Sequence, residues 1–418
     1  MIEKLKKCRI CGAPAEDLIK VVDLGEQTLA SIFPKDKNQK IIKAPLELVK
    51  CTRDCGLLQL NHTLDRDLMY GPSYGYRSGI NRTMTDHLKE IVEYADSIVD
   101  LRDEDVVIDI GSNDGTLLSA YPDDVTSIGI DPSGEKFRKF YPKHATLLTD
   151  YFNSALVNTQ AKIITSIAMF YDLQDPLEFM SDIKKCLAPD GIWITEQAYM
   201  PTMLKNNSFD TICHEHLEYY GMTQMKWMAD KVGLEIIDVE LNDINGGSFM
   251  VTLAHPDSKY DKDYVSVDTL LNKEMEDELD TLKPYKNFSR DIEHIKNQLK
   301  TVISGLGEQG GTVYGYGAST KGNVILQYCG LDSRDIGCIA DRNPEKWGHF
   351  TPGTHIPIVS EDAARKQKPD YFLVLPWHFK PEIVSREKKF TDKGGRLIFP
   401  LPTLHVVPSK DYTLGGGK

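Results

Sequence analysis

The feature that most restricts the fold is an apolar strand followed by a glycine-containing turn and the start of a helix, and it occurs twice. The first copy reads DVVIDIGSNDGTLL and the second GTVYGYGASTKGNVILQY. Around each copy, further apolar runs alternate with segments of helical spacing, which is the pattern of a doubly wound parallel sheet. No residue-level repeat relates the two. We therefore predict an α/β chain with two separate sheets.

A chain of 418 residues is too long for one typical domain, so two or three are expected. The segment LEIIDVELNDINGGSFMVTLAH reads as two strands joined by a turn, which predicts an antiparallel edge on the first sheet. A charged segment with periodic leucine and isoleucine then leads to the second glycine turn. The predicted boundaries are an N-terminal metal-binding domain at 1–75, an α/β core at 76–256, a helical linker at 257–305 and a C-terminal α/β domain at 306–418.

Charge and hydropathy exclude several classes of partner. The net charge of −13 argues against a nucleic-acid partner, which would need a basic stripe. No apolar run approaches the roughly 18 residues of a membrane span, so no membrane association is expected. The N-terminus, MIEKLKKCRICG, lacks an apolar signal region. We therefore expect a cytoplasmic protein, and a monomer is compatible with the sequence.

Four of the eight cysteines lie in two short motifs, CRICG and CTRDCG. Without a secretory signal, paired clusters indicate metal ligands rather than disulfides. Two and three intervening residues both suit tetrahedral zinc, and the glycine after each pair can take the positive φ of a tight turn. Four thiolates leave no open coordination position, so the zinc is predicted to be structural. The predicted ligands are Cys8, Cys11, Cys51 and Cys55.

The first glycine turn predicts a nucleoside site without a phosphate. Its pattern is D-x-G-x-N-x-G, which lacks the second glycine of a dinucleotide fingerprint. An acid at the end of the next strand suits ribose hydroxyls, and a third acid in LTDYF suits an adenine amino group. S-adenosylmethionine fits this pattern best, with NAD and a nucleotide-free α/β domain as alternatives. The candidate residues are Asp109, Gly111, Asn113, Gly115, Asp131 and Asp150.

The second glycine turn opens a helix, and helix N-termini bind anions. It is not a Walker loop, because G-x-x-x-x-G-K-[ST] is not met. We predict contacts of Ser319, Thr320 and Lys321 with an anionic ligand. The alternative is that its glycines serve tight strand–helix packing. Trp377 follows a strand at the edge where α/β sheets bind ligands, so we predict that it contacts the substrate. The alternative is that it belongs to the core.

The stretch FDTICHEHLEYYG contains two histidines and two acids in thirteen positions. A zinc protease helix needs H-E-x-x-H, and His214 and His216 are only two residues apart. A catalytic metal is therefore disfavoured. Acid/base chemistry by His216 with Glu215 is the functional alternative, and a polar loop that caps a core is the structural one.

The order of these motifs, from the cysteine pairs through DIGSNDG, EQAY, CHEHLEYY and NGGSFMVT to GYGASTKGN, resembles the nucleotide-sugar C-methyltransferases over essentially the whole chain. The resemblance implies a class I methyltransferase Rossmann-like core, a second Rossmann-like C-terminal domain, structural Zn²⁺ and S-adenosylmethionine. It also implies a nucleotide-diphosphate-linked 4-keto-6-deoxysugar substrate, lodged between core and C-terminal domain and methylated at C3 through an enolate. The resemblance further implies that the anionic ligand of Ser319, Thr320 and Lys321 is the pyrophosphate of this sugar nucleotide.

Carried over by position, the resemblance implies that His216 is the base and Glu215 orients or assists it. His214 would contact substrate or hold the loop. Tyrosines can donate to an enolate oxygen, and Tyr76 and Tyr171 are the candidates. One departure concerns Cys213, which stands where relatives often have a tyrosine, so another residue must supply that phenol.

A second departure is the second cysteine pair, which has three intervening residues where relatives usually have two. Three other functions compete with the C-methyltransferase. They are an O- or N-methyltransferase on the same sugars, a non-catalytic nucleotide-sugar binder and a nicotinamide oxidoreductase.

Overall fold

The computed structural model describes residues 2–69 and 76–408. The N-terminal part is mainly β-structure. Its elements are β1 (Ile2–Lys4), β2 (Leu18–Thr28), β3 (Lys43–Cys51), β4 (Leu58–Leu60), β5 (His62–Leu64) and α1 (Arg66–Met69). Strand β1 pairs with β5, and the C-terminal half of β3 pairs with β4, both antiparallel.

The central part alternates strands and helices. Its elements are α2 (Arg82–Ile98), β6 (Val106–Ile110), β7 (Thr126–Ile130), β8 (Ala145–Leu148), β9 (Ala161–Ile167), α3 (Pro176–Cys186), β10 (Leu187–Ala198), α4 (Met200–Lys205), β11 (Glu218–Tyr219), α5 (Met222–Val232), β12 (Glu235–Asn242) and β13 (Ser248–Ala254).

The C-terminal part begins with two helices and continues as a second α/β region. Its elements are α6 (Tyr264–Glu276), α7 (Lys283–Glu308), β14 (Val313–Tyr316), α8 (Thr320–Cys329), β15 (Ile339–Asp341), β16 (Ile358–Ser360), α9 (Glu361–Lys366), β17 (Tyr371–Val374), α10 (Lys380–Arg386), α11 (Lys388–Thr391), β18 (Arg396–Phe399) and β19 (His405–Val407).

Internal contacts divide the described chain into two compact units that cut across the order of the sequence. The first unit comprises the chain up to Lys20 together with Leu48–Thr202 and Glu215–Pro284. The second comprises Val21–Glu47, Met203–His214 and the chain from Tyr285 onward. The segment FDTICHEHLEYYG is thus shared, because its residues up to His214 belong to the second unit and the rest to the first.

The first unit is built on a seven-stranded sheet in the order β12-β13-β10-β9-β6-β7-β8. Strands β10, β9, β6, β7 and β8 are parallel, whereas β13 and β12 run antiparallel at one edge, as the sequence predicted. The apolar run of β6 is buried apart from its first residue, as expected for a strand covered on both faces. The chain leaves β6 toward β7 on one side and reaches β9 on the other, so the strand order reverses at β6.

Local sequence signals fix the ends of the helices around this sheet. Asn81 caps α2 by accepting a hydrogen bond from Thr83 N, and Asp175 caps α3 with Pro176 in the first turn. Helix α5 ends at Gly233, which has φ +74°. One expectation was wrong, since the helix predicted after the first glycine turn is only a 3₁₀ turn at Leu118–Ala120. Pro122 follows two residues later and cannot continue a helix.

The second unit is built on a six-stranded sheet in the order β16-β15-β14-β17-β18-β19. The first five strands are parallel, and β19 pairs antiparallel with β18. The order reverses at β14, the strand that precedes the second glycine turn. Both sheets therefore place a glycine turn where ligands bind in open α/β folds. None of the helices described in either unit is long and apolar enough to cross a membrane.

Candidate functional site

A cavity of about 200 Å³ lies in the first unit at the carboxyl end of β6. Five of the six residues predicted to bind the cofactor line it, together with Tyr76. They are Asp109, Gly111, Asn113, Asp131 and Asp150. Gly115 does not line it. A Cβ on Gly115 would lie 3.0 Å from the Tyr141 ring, so this glycine serves packing of the turn.

The glycine loop has the backbone geometry that its sequence requires. Gly111 has φ +73°, and a Cβ there would lie 3.0 Å from Met169 Cγ. Asn113 has φ +49° and its N–H donates to Asp131 Oδ2 at 2.8 Å. The other oxygen of Asp131 accepts from the N–H and the hydroxyl of Ser133, at 2.6 and 2.7 Å. The loop is therefore held on the neighbouring strand end before any ligand binds.

Asp109 is buried at the end of β6 and accepts a hydrogen bond of 2.7 Å from Thr165 Oγ1. Burial raises the pKa of Asp109 to about 7. The hydrogen bond from Thr165 lowers this pKa, and the negative charge of Asp131 raises it further. A carboxyl group held this way is stabilised in its ionised form by a cationic ligand. The ammonium and sulfonium groups of S-adenosylmethionine are cations of that kind.

Further polar groups line the cavity that the sequence reasoning missed, among them Ser78, Asp172 and Gln174. Asp172 and Gln174 follow β9, the strand next to β6 on the other side of the reversal. Ligands bind at the carboxyl ends of strands near such a reversal. The position of Asp172 and Gln174 after β9 could therefore have identified them from the sequence.

His216 is the one side chain between Ser208 and Tyr220 that is not buried. Its ring lies 4.2 Å from the ring of Tyr171, centroid to centroid, at an interplanar angle of 55°. The next residue, Leu217, lines the cavity, and its N–H donates to the Tyr171 carbonyl at 2.8 Å. The structure therefore brings the predicted base and a predicted phenol together beside the cavity.

The two neighbours of His216 in the motif are buried. Glu215 is 5% exposed. In the second unit, the His214 ring nitrogen Nε2 lies 3.1 Å from the carbonyl of Ala44, within hydrogen-bonding distance. Of the two roles predicted for His214, this geometry favours holding the loop. Tyr76 lines the cavity, and although the residue is 48% exposed, burial raises the pKa of its phenol.

The four predicted zinc ligands converge in the first unit, with all their Sγ atoms within 4.8 Å of one another. The Cys8–Cys55 and Cys11–Cys51 sulfur pairs are each 3.6 Å apart. That is far beyond a disulfide bond of about 2.05 Å and close to the separation of about 3.8 Å that zinc–sulfur bonds of 2.3 Å give in a tetrahedron. The donor set and its spacing fit structural Zn²⁺.

The second glycine turn in the second unit is tightly packed. A Cβ on Gly317 would lie 2.7 Å from Pro376, and a Cβ on Gly322 would lie 2.7 Å from Leu375. These close approaches favour the packing alternative for both glycines. Ser319 caps α8, its hydroxyl accepting from Gly322 N at 3.0 Å. Its hydroxyl is therefore already engaged within the loop.

Lys321 and Trp377 converge on Asp210, a buried acid that the sequence reasoning missed. Trp377 is buried and donates from Nε1 to Asp210 Oδ2 at 2.8 Å. Burial raises the pKa of Asp210, opposed mainly by the charge of Lys321. Burial also lowers the pKa of Lys321, and lowers that of His378 to about 3 with Lys321 adding to the effect. The tryptophan thus belongs to the core of this unit.

Three family models match the chain in succession. A zinc-binding-domain model matches residues 8–70, a methyltransferase-domain model residues 76–239, and a C-methyltransferase C-terminal-domain model residues 243–402. The C-methyltransferase NovU of Streptomyces niveus is 30% identical over 98% of this chain and 99% of its own length.

Two solved structures overlap the chain locally. A methyltransferase of Haloferax volcanii, solved with the activator Trm112, is 15% identical over 43% of this chain and 94% of its own, with a TM-score of 0.36. A methyltransferase of Bacillus halodurans is 11% identical over 41% of this chain and 99% of its own, with a TM-score of 0.34. At these scores the overlaps add nothing to the assignment.

The sheet with its glycine-loop cavity and the four-thiolate cluster define an S-adenosylmethionine-dependent methyltransferase with a zinc-binding module. Within that class, the chain belongs to the C-methyltransferase family, because the match to a curated member extends over nearly the full length of both proteins. The predicted family, fold class and cofactors are thereby confirmed. The roles of individual residues and the domain boundaries stay predictions.

Proposed function

We propose that the protein methylates C3 of a nucleotide-diphosphate-linked 4-keto-6-deoxysugar, with His216 as the base. The observation that carries the proposal is the partial exposure of His216 within an otherwise buried segment, next to a residue that lines the cofactor cavity. A carbon nucleophile needs a base, because a C–H bond must be broken before a bond to methyl can form. Histidine titrates near neutral pH and suits this task.

In the proposed reaction His216 takes the C3 proton, and the electrons of that bond form the enolate with the C4 ketone. In this proposal Tyr171, whose ring lies 4.2 Å from that of His216, and Tyr76 donate to the enolate oxygen, and Glu215 orients or assists the base. When bound, S-adenosylmethionine would supply the methyl group as an electrophile, so that C3 of the enolate would form the new C–CH₃ bond while the sulfur would keep the electron pair of the broken S–CH₃ bond.

The remaining predictions belong to the same proposal. Lys321, Thr320 and Ser319 contact the pyrophosphate of the sugar nucleotide, whereas Trp377 donates to Asp210 in the core of the second unit. The domains at 1–75, 76–256, 257–305 and 306–418 and a cytoplasmic location complete it. NovU, which is similar along its whole length, is a C-methyltransferase, and this likeness supports methyl transfer to carbon.

The test is incubation with S-adenosylhomocysteine and 4-keto-6-deoxysugar nucleotides in deuterated water, followed by incubation with the methyl donor. Wild-type enzyme should exchange the C3 proton and then give a new C–CH₃ signal. His216→Gln should lower both rates by about 10²–10⁴-fold, the usual contribution of a general base, with cofactor affinity unchanged.

The matched control is His294→Gln, which changes an exposed histidine of α7 and should behave as wild type. Methyl transfer to oxygen or nitrogen without C3 exchange would replace the proposal by the heteroatom alternative. Binding without turnover for every keto-sugar nucleotide would replace it by the binding-protein alternative.

A further inference from the structure

The first cysteine pair encloses an arginine that is buried and cannot ligate a metal. The Arg9 side chain is only 3% exposed. One terminal nitrogen donates to the Leu60 carbonyl at 2.7 Å, and the other donates to Thr63 Oγ1 at 2.7 Å. Burying a guanidinium is costly unless its donors are satisfied, so this side chain occupies a site built to receive it.

The same guanidinium reaches the chain immediately after His216. It donates to the Leu217 carbonyl at 3.3 Å, and its Nε lies 3.4 Å from Glu218 Oε1, a carboxylate that is itself fully buried. Burial raises the pKa of Glu218 well above its usual range, and the positive charge of Arg9 opposes that rise. Arg9 therefore contacts the two residues that directly follow the proposed base.

Strand β4 provides a second connection between the cysteines and this segment. Gln59 donates from Nε2 to Cys8 Sγ at 3.1 Å and accepts from the Arg9 N–H at 3.2 Å. The same residue pairs with Glu218 across β4 and β11, and Leu60 N donates to the Leu217 carbonyl at 2.9 Å. The backbone of residues 217–218 is thus fixed both by the strand and by the arginine of the cysteine knuckle.

We infer that Arg9 is a positioning residue that couples the four-cysteine centre to His216. The inference rests on the proposed function for the role of His216, whereas the coupling itself rests on contacts within the first unit. The zinc-binding module then does more than stabilise the N-terminal part, because an ordered knuckle holds the backbone beside the base. The glycine loop and Asp131 follow β6 and β7, and Leu217 is the one residue of 216–219 that lines the cavity. Cofactor binding should therefore depend on the knuckle less than turnover does.

The test compares Arg9→Met with Arg53→Met, which changes the arginine of the second cysteine knuckle. Arg53 is 63% exposed and meets Asp17 at 2.7 Å on the surface, so it matches Arg9 in type and place but not in burial. Hydrogen exchange of the amides of residues 216–219 is measured on the zinc-loaded proteins, with zinc content, cofactor affinity, kcat and KM determined on the same samples.

Arg9→Met should speed exchange of these amides at least tenfold and lower kcat about 10–100-fold. It should also displace the pH profile of kcat, while zinc content stays constant and cofactor affinity changes less than threefold. Arg53→Met should match wild type in all of these. Arg9→Lys keeps the charge but not the fork of donors and should lie between them.

A folded, zinc-loaded Arg9→Met protein with wild-type exchange at 216–219 overturns the inference. Hydrogen exchange does not require turnover. A wild-type enzyme that is inactive on every acceptor would therefore defeat the proposed function, but the exchange rates at 216–219 would still test the coupling. Should Arg9→Met not fold, Arg9→Lys and chelator-treated wild type decide instead. Faster exchange confined to the cysteine knuckles would overturn the coupling, and faster exchange that extends to 216–219 would support it.

Discussion

At the scale of residues, two acids at neighbouring strand ends face the same cavity in different environments. Both acids are buried, but Asp131 accepts three hydrogen bonds from the loop and its own turn, whereas Asp109 accepts one, from Thr165. Their positions could be predicted from the sequence, because each ends an apolar strand. Their environments could not, because these depend on Thr165 and on burial by distant segments.

The pKa of Asp109 predicts a trade between stability and cofactor binding. Its folded-state pKa is about 7, above the value of about 4 expected in the unfolded chain. Ionisation therefore opposes folding, a penalty that is absent below pH 4, grows between pH 4 and 7, and is constant above. Asp109→Asn keeps an acceptor for Thr165 and should stabilise the ligand-free protein at pH 8 by on the order of 2–4 kcal/mol.

Denaturant unfolding at pH 5 and pH 8 checks this prediction, and the gain at pH 5 should be less than half of the gain at pH 8. Asp150→Asn, at an exposed cavity residue, should show no such pH dependence. Asp109→Asn should also weaken binding of S-adenosylhomocysteine, because the neutral amide does not attract a cation. A variant without extra stability at pH 8 would contradict the burial argument.

At the scale of elements, strand periodicity and turn chemistry were sufficient to predict both sheets and the antiparallel edge. The division of FDTICHEHLEYYG between two units was not predictable, since it depends on contacts with chain segments far away in sequence. The same holds for Asp210, whose partner Trp377 is 167 residues distant. Cys213 is buried, and the structure offers Tyr171 beside His216 as the phenol that the sequence departure called for.

Helix α5, which follows the segment FDTICHEHLEYYG, begins at a buried acid from another helix. Glu274 of α6 accepts from the Met222 and Thr223 N–H groups at 2.5 and 2.9 Å and from the Tyr199 hydroxyl at 2.7 Å. It is 3% exposed, and a Cβ on Gly221 would lie 2.7 Å from its Oε1. A carboxylate here satisfies free N–H groups and complements the helix dipole.

Glu274→Gln should therefore destabilise the first unit by about 1–3 kcal/mol, because an amide group turns a donor toward donors in a buried site. Thermal unfolding measures the effect. The control is Glu276→Gln on the same helix, where the side chain is 71% exposed and pairs loosely with Lys273, so its change should stay within about 0.5 kcal/mol. Equal stability of the two variants would remove Glu274 from this role.

At the scale of the whole molecule, both ligand sites that the family requires belong to one unit. The cofactor cavity and the four cysteines lie entirely within the first unit. The second unit has its own sheet and its own polar cluster around Asp210. Ligands that bind only folded protein stabilise the part that holds their site, by about 2.7 kcal/mol at 100 times Kd.

Calorimetry should accordingly resolve two unfolding transitions, with only one of them dependent on ligands. Saturating S-adenosylhomocysteine should raise the transition of the first unit by several degrees, and a zinc chelator should lower that same transition. Trp377→Phe removes the hydrogen bond to Asp210 and leaves a buried acceptor unsatisfied, which costs about 1–3 kcal/mol, so it should lower the other transition only. A single transition that shifts with all three changes would instead mean that the two units unfold as one cooperative block.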